Sequence, residues 1–221
     1  MRGDKPKLLD LFCGAGGAAV GYHRAGFEVV GVDIKPQPHF PFEFHQADAL
    51  TFPIEGFDVY HASPPCQEYS LTLNTTQYYR KQNHPKLLSE VREILQATGK
   101  PYVIENVFNA KYKKGKQEDG LQAHFLCGTM FGKPYYRHRL FETSFFWLSP
   151  GHHRHNLIPG YGTGIKTKTA TLMHCRRDIV KAAARAFDID WMDALEINQS
   201  IPPIYTEYIG GYLMEEVMEL A

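Results

Sequence analysis

The sequence predicts an α/β protein built on one doubly wound, mostly parallel β-sheet. Short apolar runs alternate with segments of helical spacing between residues 7 and 105, a pattern typical of strands joined by crossover helices. The first apolar run ends in a glycine-rich turn, residues 14–17, that opens a helix, and Asp33 closes the next run. A chain of 221 residues is also long enough to bury one sizeable core.

Strands are expected where short apolar runs lie between turn residues: Lys7–Phe12, Phe27–Val32, Glu43–His45, 57–62 and Tyr102–Glu105. Helices are expected where apolar residues recur at helical spacing: Gly17–Ala25, Pro85–Ala97, Asp178–Phe187 and the residues after Pro202-Pro203. Residues 71–83 are expected to form a long loop, and after Phe141 the pattern weakens.

The charge is balanced overall but unevenly distributed. Residues 72–185 contain 19 Lys and Arg against 7 Asp and Glu, whereas both ends of the chain are acidic. A basic middle suits contact with a phosphate backbone, although solvated surface charge explains it equally well. The four cysteines are widely spaced and no apolar run has the length of a membrane span, so we expect a cytoplasmic protein with reduced thiols, most readily in a prokaryotic or phage-infected cell.

One cysteine follows two prolines directly after the predicted strand 57–62, in the segment Ser63-Pro64-Pro65-Cys66-Gln67. The prolines stiffen this loop, which leaves the carboxyl end of a strand where open α/β sheets bind ligands. A thiol there is well placed to attack a substrate, but free cysteine is also a frequent buried residue. From the residues alone, both interpretations stay open.

The glycine-rich turn and Asp33 indicate a nucleotide-containing cofactor. Gly14-Ala15-Gly16-Gly17 lets backbone N–H groups approach the cofactor, while Asp33, at the end of the next strand, can accept hydrogen bonds from ribose hydroxyls. Because Gly14, Gly16 and Ala19 also satisfy the dinucleotide pattern, an NAD-dependent oxidoreductase is a rival at this point.

Four segments in order decide against that rival: Asp10–Gly17, Ser63–Gln67, Glu105-Asn106-Val107 and Arg137-His138-Arg139. Together they resemble the S-adenosylmethionine-dependent cytosine-5 DNA methyltransferases. The resemblance covers residues 7–141, is thin over 142–188 and resumes near 190. It implies a Rossmann-like methyltransferase fold with a catalytic and cofactor-binding core (1–141), a small, irregular recognition lobe (142–188) and a C-terminal segment that returns to the core (189–221).

The resemblance also implies catalytic roles for four residues. Cys66 would add to C6 of a flipped cytosine and form a covalent intermediate, which makes C5 nucleophilic. Glu105 would bind N3 and share a proton, with a pKa raised by a closed site. Arg139 would hold the cytosine O2 and Arg137 would brace the site.

The resemblance predicts that S-adenosylmethionine is bound by residues at the carboxyl edge of the sheet and near the C-terminus: Phe12, Gly14, Ala15, Gly16, Gly17, Asp33, Ile34, Asp48, Ala49, Pro65, Gln199 and Ser200. Two positions depart from the family pattern. Gln199 replaces the usual asparagine of the C-terminal motif, and Tyr135 replaces a glutamine two residues before Arg137.

The expected partner is double-stranded, cytosine-containing DNA. Residues predicted to contact it are Gln67, Ser70, Arg154, Lys166 and Lys168. No metal site is expected, because no pair among Cys127, Cys175 and the histidines has finger or ribbon spacing. A cytosine-5 methyltransferase of RNA or tRNA and a non-catalytic nucleic-acid-binding module remain alternatives. The target sequence, the oligomeric state and an accompanying restriction enzyme stay open.

Overall fold

The computed structural model describes residues 5–65, 87–107, 112–113, 116–117, 123–135, 137–152 and 177–220. Seven strands form the main sheet: β1 (Lys7–Leu11), β2 (Glu28–Asp33), β3 (Glu43–Gln46), β4 (Val59–Ala62), β5 (Tyr102–Val107), β8 (Ala123–Leu126) and β9 (Arg139–Thr143). A separate antiparallel pair consists of β6 (Tyr112–Lys113) and β7 (Lys116–Gln117). The helices are α1 (Gly17–Arg24), α2 (Leu87–Ala97), α3 (Arg177–Phe187), α4 (Ala194–Gln199) and α5 (Pro203–Leu220).

The strand order of the main sheet is β3-β2-β1-β4-β5-β9-β8. The first five strands pair in parallel, while β9 pairs antiparallel with both β5 and β8. The predicted fold class, a doubly wound and mostly parallel sheet, is therefore confirmed. The chain reverses direction across the sheet between β1 and β4, and such a switch point opens a crevice at the carboxyl ends of the two strands.

Apolar side chains cover the main sheet on both faces. On one face Leu8 and Val59 pack with helices α1, α3 and α5, and on the other Leu9 and Leu11 pack with α2. Helix α2 buries Leu88, Val91 and Leu95, as its helical spacing predicted. Covering both faces explains why the central strands β1 and β4 are almost fully buried, whereas the edge strand β3 is polar and largely exposed.

The predicted strands and helices agree with the observed ones to within about two residues, apart from elements that the sequence pattern missed. Strands β8 and β9, the two-residue pair β6 and β7, and helix α4 were not predicted. The predicted loop at 71–83 lies outside the described residues. Among the described helices, none is long and apolar enough to cross a membrane.

The predicted boundaries at 142 and 188 stay a prediction, but both ends of that region contribute to the main core. Trp147, just after β9, is 2% exposed, and Ala183 and Phe187 of α3 are 0% and 2% exposed. All three belong to the same apolar cluster as Leu8.

Candidate active site

The carboxyl ends of β1 and β4 carry the two loops that the sequence singled out. The turn after β1 is unusual, since Phe12, Gly14 and Gly16 all have positive φ angles, of 59°, 50° and 86°. A Cβ on Gly16 would lie 2.7 Å from Cδ of Pro41, so glycine is required there for both conformation and space. Gly16 caps α1, and the turn thus brings backbone groups to the edge of the crevice.

Asp33 lies beside this turn. Its Oδ2 accepts a hydrogen bond from the backbone N–H of Gly14 (3.1 Å), and its Oδ1 accepts one from the backbone N–H of Lys35 (2.9 Å). A carboxylate offers about four acceptor sites, so both oxygens retain capacity for hydroxyl donors. The next side chain, Ile34, is 64% exposed and offers an apolar surface at the same edge.

The other residues predicted to bind the cofactor divide between the crevice edge and its support. Asp48 is exposed and caps a turn by accepting from the N–H of Leu50 (3.0 Å), while Ala49 is buried. Ala15 is buried, and its carbonyl accepts a hydrogen bond from Nε1 of Trp191 (2.8 Å). These contacts hold the turn in place.

Glu105 lies at the carboxyl half of β5 and is 6% exposed. Nε of Arg139 is 2.9 Å from Oε1 of Glu105, yet Oε1 accepts no well-aligned hydrogen bond from the described residues. Burial raises the pKa of Glu105, and Arg139, Arg137 and a hydrogen bond from Ser63 offset part of that rise. The carboxyl group can therefore exchange a proton closer to neutral pH than an exposed glutamate.

The Glu-Asn-Val segment also contacts the proline loop directly. Asn106 is buried, and its Nδ2 donates a hydrogen bond to the carbonyl of Pro64 (3.3 Å). The N–H of Ser63 donates to the carbonyl of Leu11 (3.1 Å), which ties the start of this loop to the end of β1. Pro65, predicted to lie beside the cofactor, is half-buried at the end of this described stretch.

Arg137 has a different environment from Arg139. It is 4% exposed, and its Nε donates to the carbonyl of Ser200 (3.0 Å) while its Nη2 donates to the carbonyl of Asn198. Arg137 therefore holds the segment 198–200 against the sheet. Gln199, in the middle of that segment and at the last position of α4, is itself exposed.

The segment after α4 also reaches the cofactor turn. A Cβ on Gly17 would collide with the carbonyl oxygen of Ile201 and approach Cβ of Ser200 at 3.2 Å. Gly17 thus permits close contact between the first turn of α1 and the C-terminal segment. The structure brings together residues predicted from opposite ends of the chain.

Comparison with known proteins identifies the family. The family model for C-5 cytosine-specific DNA methylases matches residues 6–145, more than half of the chain. The chain belongs to this family. The resemblance read from its motifs is confirmed, and with it S-adenosylmethionine as the methyl donor that the family uses.

Two type II methyltransferases are similar in sequence. M1.HphI of Haemophilus parahaemolyticus is 30% identical over 117 residues, a match that spans 45% of this chain and 32% of the relative. M.AquIA of Picosynechococcus is 27% identical over 178 residues, or 61% of this chain and 70% of the relative. The crystal structure of the Schizosaccharomyces pombe Dnmt2 methyltransferase has the same fold, with a TM-score of 0.63 at 13% identity and coverage of 97% of this chain and 99% of that one.

The family position usually taken by glutamine, Tyr135, is part of the core in this member. Its side chain is 0% exposed, and its ring lies 4.5 Å from the ring of Phe187. Its ring atoms also fill the space where a Cβ on Gly128 would lie. Tyr135 thus serves packing, which is a sufficient reason for an aromatic residue at this position.

A row of buried polar groups behind Glu105 was not found from the sequence. The hydroxyl of Tyr22 lies 2.9 Å from Nδ1 of His61, and Nε2 of His61 lies 2.8 Å from Oγ of Ser63. In the tautomer that carries the His61 proton on Nε2, Oγ of Ser63 accepts from His61, Nδ1 accepts from the Tyr22 hydroxyl, and the Ser63 hydroxyl is left to donate to Glu105. The three groups form a hydrogen-bonded chain that points toward the Glu105 carboxylate.

His61 and its neighbour Asp10 both interrupt otherwise apolar strands, which is the signal that could have revealed this row. Burial lowers the pKa of His61 to about 3, so its imidazole is neutral at physiological pH. Burial, with a smaller contribution from Asp33, raises the pKa of Asp10 well above its ordinary value. Both residues are 0% exposed.

Six predicted site residues lie outside the described residues: Cys66, Gln67, Ser70, Arg154, Lys166 and Lys168. Of the cysteines that the structure describes, Cys13 and Cys127 are buried. Burial, with smaller contributions from Asp10 and Asp33, raises the pKa of Cys13, so its thiol stays protonated. Cys13 is therefore unsuited to nucleophilic attack.

Proposed function

We propose that this protein transfers a methyl group from S-adenosylmethionine to C5 of cytosine in double-stranded DNA, with Cys66 as the nucleophile. The observation that carries the proposal is the buried pair of Glu105 and Arg139 beside the loop that leads to Cys66. A carboxyl group with a raised pKa next to a guanidinium matches the hydrogen-bonding edge of cytosine, which presents N3 and O2 side by side.

The cofactor would bind across the switch point. Asp33 would accept the ribose hydroxyls, Ile34 would contact the adenine ring, and Asp48 would accept the adenine amino group. These residues fit the cofactor, because both carboxylate oxygens of Asp33 are positioned by backbone N–H groups and can still accept hydrogen bonds from ribose hydroxyls in the crevice. When bound, S-adenosylmethionine supplies the electrophilic methyl group.

The reaction would begin with the Cys66 thiolate adding to C6 of the ring, which forms the sulfur–carbon bond and moves electron density toward C5 and N3. Glu105 would supply a proton at N3, and Arg139 would hold O2 as it gains negative charge. After C5 accepts the methyl group, a water molecule would take the C5 proton, the sulfur–carbon bond would break to release the Cys66 thiolate, and N3 would return its proton to Glu105, which restores the aromatic ring. The target base must leave the helix stack, because its C6 face is covered in the duplex.

Residues 142–188 would provide much of the DNA contact, with Arg154, Lys166 and Lys168 facing the phosphates and Gln67 and Ser70 near the flipped base. The basic composition of residues 72–185 supports this assignment. We infer a reduced recognition region, since the core takes up the residues at both ends of this stretch.

A covalent trap tests the proposal directly. The protein is incubated with S-adenosylmethionine and DNA that contains 5-fluorocytosine, whose fluorine cannot leave C5 as a proton does, so the adduct persists. We expect a denaturation-resistant protein–DNA complex with the parent and with Cys175→Ala, and none with Cys66→Ala. Methylation of unmodified DNA should be lost in Cys66→Ala alone.

RNA of the same sequence serves as the second substrate. Faster methylation of RNA than of DNA would overturn the DNA assignment while leaving the cytosine chemistry intact. Adduct formation by Cys66→Ala would overturn the nucleophile. No incorporation into either nucleic acid, by folded protein that binds the cofactor, would overturn the activity.

A further inference from the structure

Three metal-ligating side chains meet outside the proposed active site. Cys127, His138 and His152 each offer one donor atom, and these atoms all lie within 4.8 Å of one another. Cys127 follows β8, His138 directly precedes β9, and His152 lies beyond the end of β9. The cluster therefore joins three segments of the stretch 127–152 that flank β9.

The separation of the two imidazole nitrogens is close to that in a tetrahedral metal site. Nε2 of His138 lies 3.1 Å from Nε2 of His152. Two imidazole nitrogens bound at ~2.0–2.1 Å to one tetrahedral ion are about 3.3 Å apart, so the histidines need only a small movement. The thiol, which lies within 4.8 Å of both nitrogens, would have to move closer to form a zinc–sulfur bond of about 2.3 Å. A thiolate with two imidazoles is a donor set that zinc prefers over oxygen-binding cations such as Mg²⁺ or Ca²⁺.

The surroundings of the cluster also suit a metal. Oγ1 of Thr129 lies 3.3 Å from Sγ of Cys127, where it can donate a hydrogen bond to a thiolate. The ring of Phe125 packs edge-to-face on both imidazoles, with centroid distances of 5.5 Å to His138 and 5.0 Å to His152. Such neighbours orient ligands, as outer partners commonly do in metal sites.

From these contacts we propose that Cys127, His138 and His152 bind one Zn²⁺ ion, with a fourth position left for water or another ligand. This inference is independent of the proposed function. It departs from the expectation of no metal site, which rested on sequence spacing; here the spacing is uninformative because β9 brings the ligands together through tertiary structure.

The ion would stabilise the segment that carries the two arginines. Nη1 of Arg139 donates a hydrogen bond to the carbonyl of His138 (3.0 Å). The proposed ligand His138 therefore supports the Arg139 side chain, which pairs with Glu105. His152 is the last described residue before 153–176, a stretch within the predicted recognition lobe. The metal would thus fix the position of Arg139 and hold His152 on the core.

A hydrogen bond between the two imidazoles, without an ion, is the competing explanation of the 3.1 Å distance. The zinc site and the hydrogen-bonded histidine pair differ in whether Cys127 is needed. A hydrogen-bonded histidine pair does not require the thiol, which contacts Thr129, whereas a metal site requires it as a ligand.

The experiment measures zinc in the intact protein purified from zinc-supplemented cells, then after removal of the metal with a chelator and titration with Zn²⁺ or Co²⁺. The variants are His152→Gln, at an exposed ligand, and Cys127→Ser. The matched control is His124→Gln, an exposed histidine of the same neighbourhood that packs on Trp147 and is not in the cluster.

We expect about one zinc per chain in the parent and in His124→Gln. Zinc affinity should fall more than about 100-fold in His152→Gln, beyond the 10–100-fold typical of losing an outer partner. The Co²⁺-loaded parent should show a thiolate-to-cobalt charge-transfer band that Cys127→Ser lacks. Zinc should also raise the melting temperature of the parent and the control, and not that of His152→Gln.

Two results would overturn the proposal. One is a folded parent that retains no zinc and binds none on titration, which would leave the imidazole hydrogen bond as the explanation. The other is equal zinc affinity in His152→Gln and in the parent, which would show that any bound metal lies elsewhere. Because His152 is exposed, its variant is expected to fold even if Cys127→Ser does not.

Discussion

Replacing Arg137 separates a bracing role from direct contact with the substrate. The guanidinium donates two hydrogen bonds to backbone carbonyls, those of Ser200 and Asn198, from a side chain that is only 4% exposed. Hydrogen bonds from a charged group contribute about 1.5–3 kcal/mol each. We therefore expect Arg137→Ala to lower the free energy of unfolding by about 3–6 kcal/mol, a large part of the ~5–15 kcal/mol typical of a domain.

Arg137→Lys tests the geometry of the two bonds. Lysine keeps the positive charge but lacks the planar fork, so it can replace one of the two bonds and should lose about half as much stability. The matched control is Arg24→Ala. Arg24 pairs with Asp188 at 2.7 Å, but its side chain is 34% exposed and that of Asp188 is 70% exposed, so the loss should be below about 1 kcal/mol.

Urea unfolding followed by circular dichroism measures these changes, provided that the slope with denaturant stays constant. Binding of S-adenosylmethionine supplies a second measurement, because Arg137 holds segment 198–200, which lies against Gly17 of the cofactor turn. We expect Arg137→Lys to weaken cofactor binding and to raise its KM more than it lowers kcat. An Arg137→Ala variant as stable as Arg24→Ala, or an Arg137→Lys variant with normal cofactor affinity and lost kcat, would refute the bracing role.

Three further predictions concern ionisable groups. Glu105→Gln should slow single-turnover methylation about 100-fold or more, as expected for loss of a general acid, and a loss below tenfold would argue against that role. The pKa of Glu105 is raised above 4.5 in the folded protein, so the free energy of unfolding should fall as pH rises from 4.5 and the unfolded chain ionises first. Glu105→Gln should flatten this fall, measured as the urea midpoint against pH. Asp33→Asn should weaken cofactor binding about tenfold or more in calorimetry, through loss of a charge-assisted hydrogen bond; unchanged affinity would contradict the assignment. Because the pKa of His61 falls from 6.5 to about 3 on folding, the unfolded chain takes up the proton first and stability should fall as pH drops through that window. His61→Gln should flatten this acid-side slope, and an unchanged slope would contradict it.

The parallel half of the fold could be predicted because its signals are local. Strands β1, β2 and β5 are apolar runs bounded by turn residues, and the glycine turn with Asp33 marks their carboxyl edge without any knowledge of distant contacts. Strands β8 and β9 could not be predicted in this way. Arg139–Thr143 contains charged residues, and the charge of the buried Glu142 is compensated by Arg92 of α2, 50 residues away, which donates two hydrogen bonds to it at 2.7 and 2.9 Å.

In the candidate site, too, features with a local sequence signal could be predicted and those made by distant contacts could not. Motif residues such as Glu105 and Arg139 could be named from the sequence, since each follows a recognisable segment. Their partners could not, because the groups that hold them come from other parts of the chain. The carbonyls that Arg137 holds are those of Asn198 and Ser200, which lie 61 and 63 positions further along the chain. A backbone carbonyl leaves no trace in the sequence.

The raised pKa of Glu105 results from opposing effects on one carboxyl group. Burial favours the protonated form, while Arg139 and the Ser63 hydroxyl favour the carboxylate. With the His61 proton on Nε2, the imidazole donates to Oγ of Ser63 and leaves its hydroxyl to donate to Glu105, while Nδ1 accepts from the Tyr22 hydroxyl. Since burial keeps His61 neutral, the chain orients a hydrogen bond without adding a charge. The pKa of Glu105 is thereby raised above that of an exposed glutamate, which favours giving a proton to a ring during attack and taking it back afterwards. This balance depends on burial of Glu105 and of its neighbours Tyr22 and His61. In water, solvent would screen the charge of Arg139 and remove the desolvation that raises the pKa of Glu105.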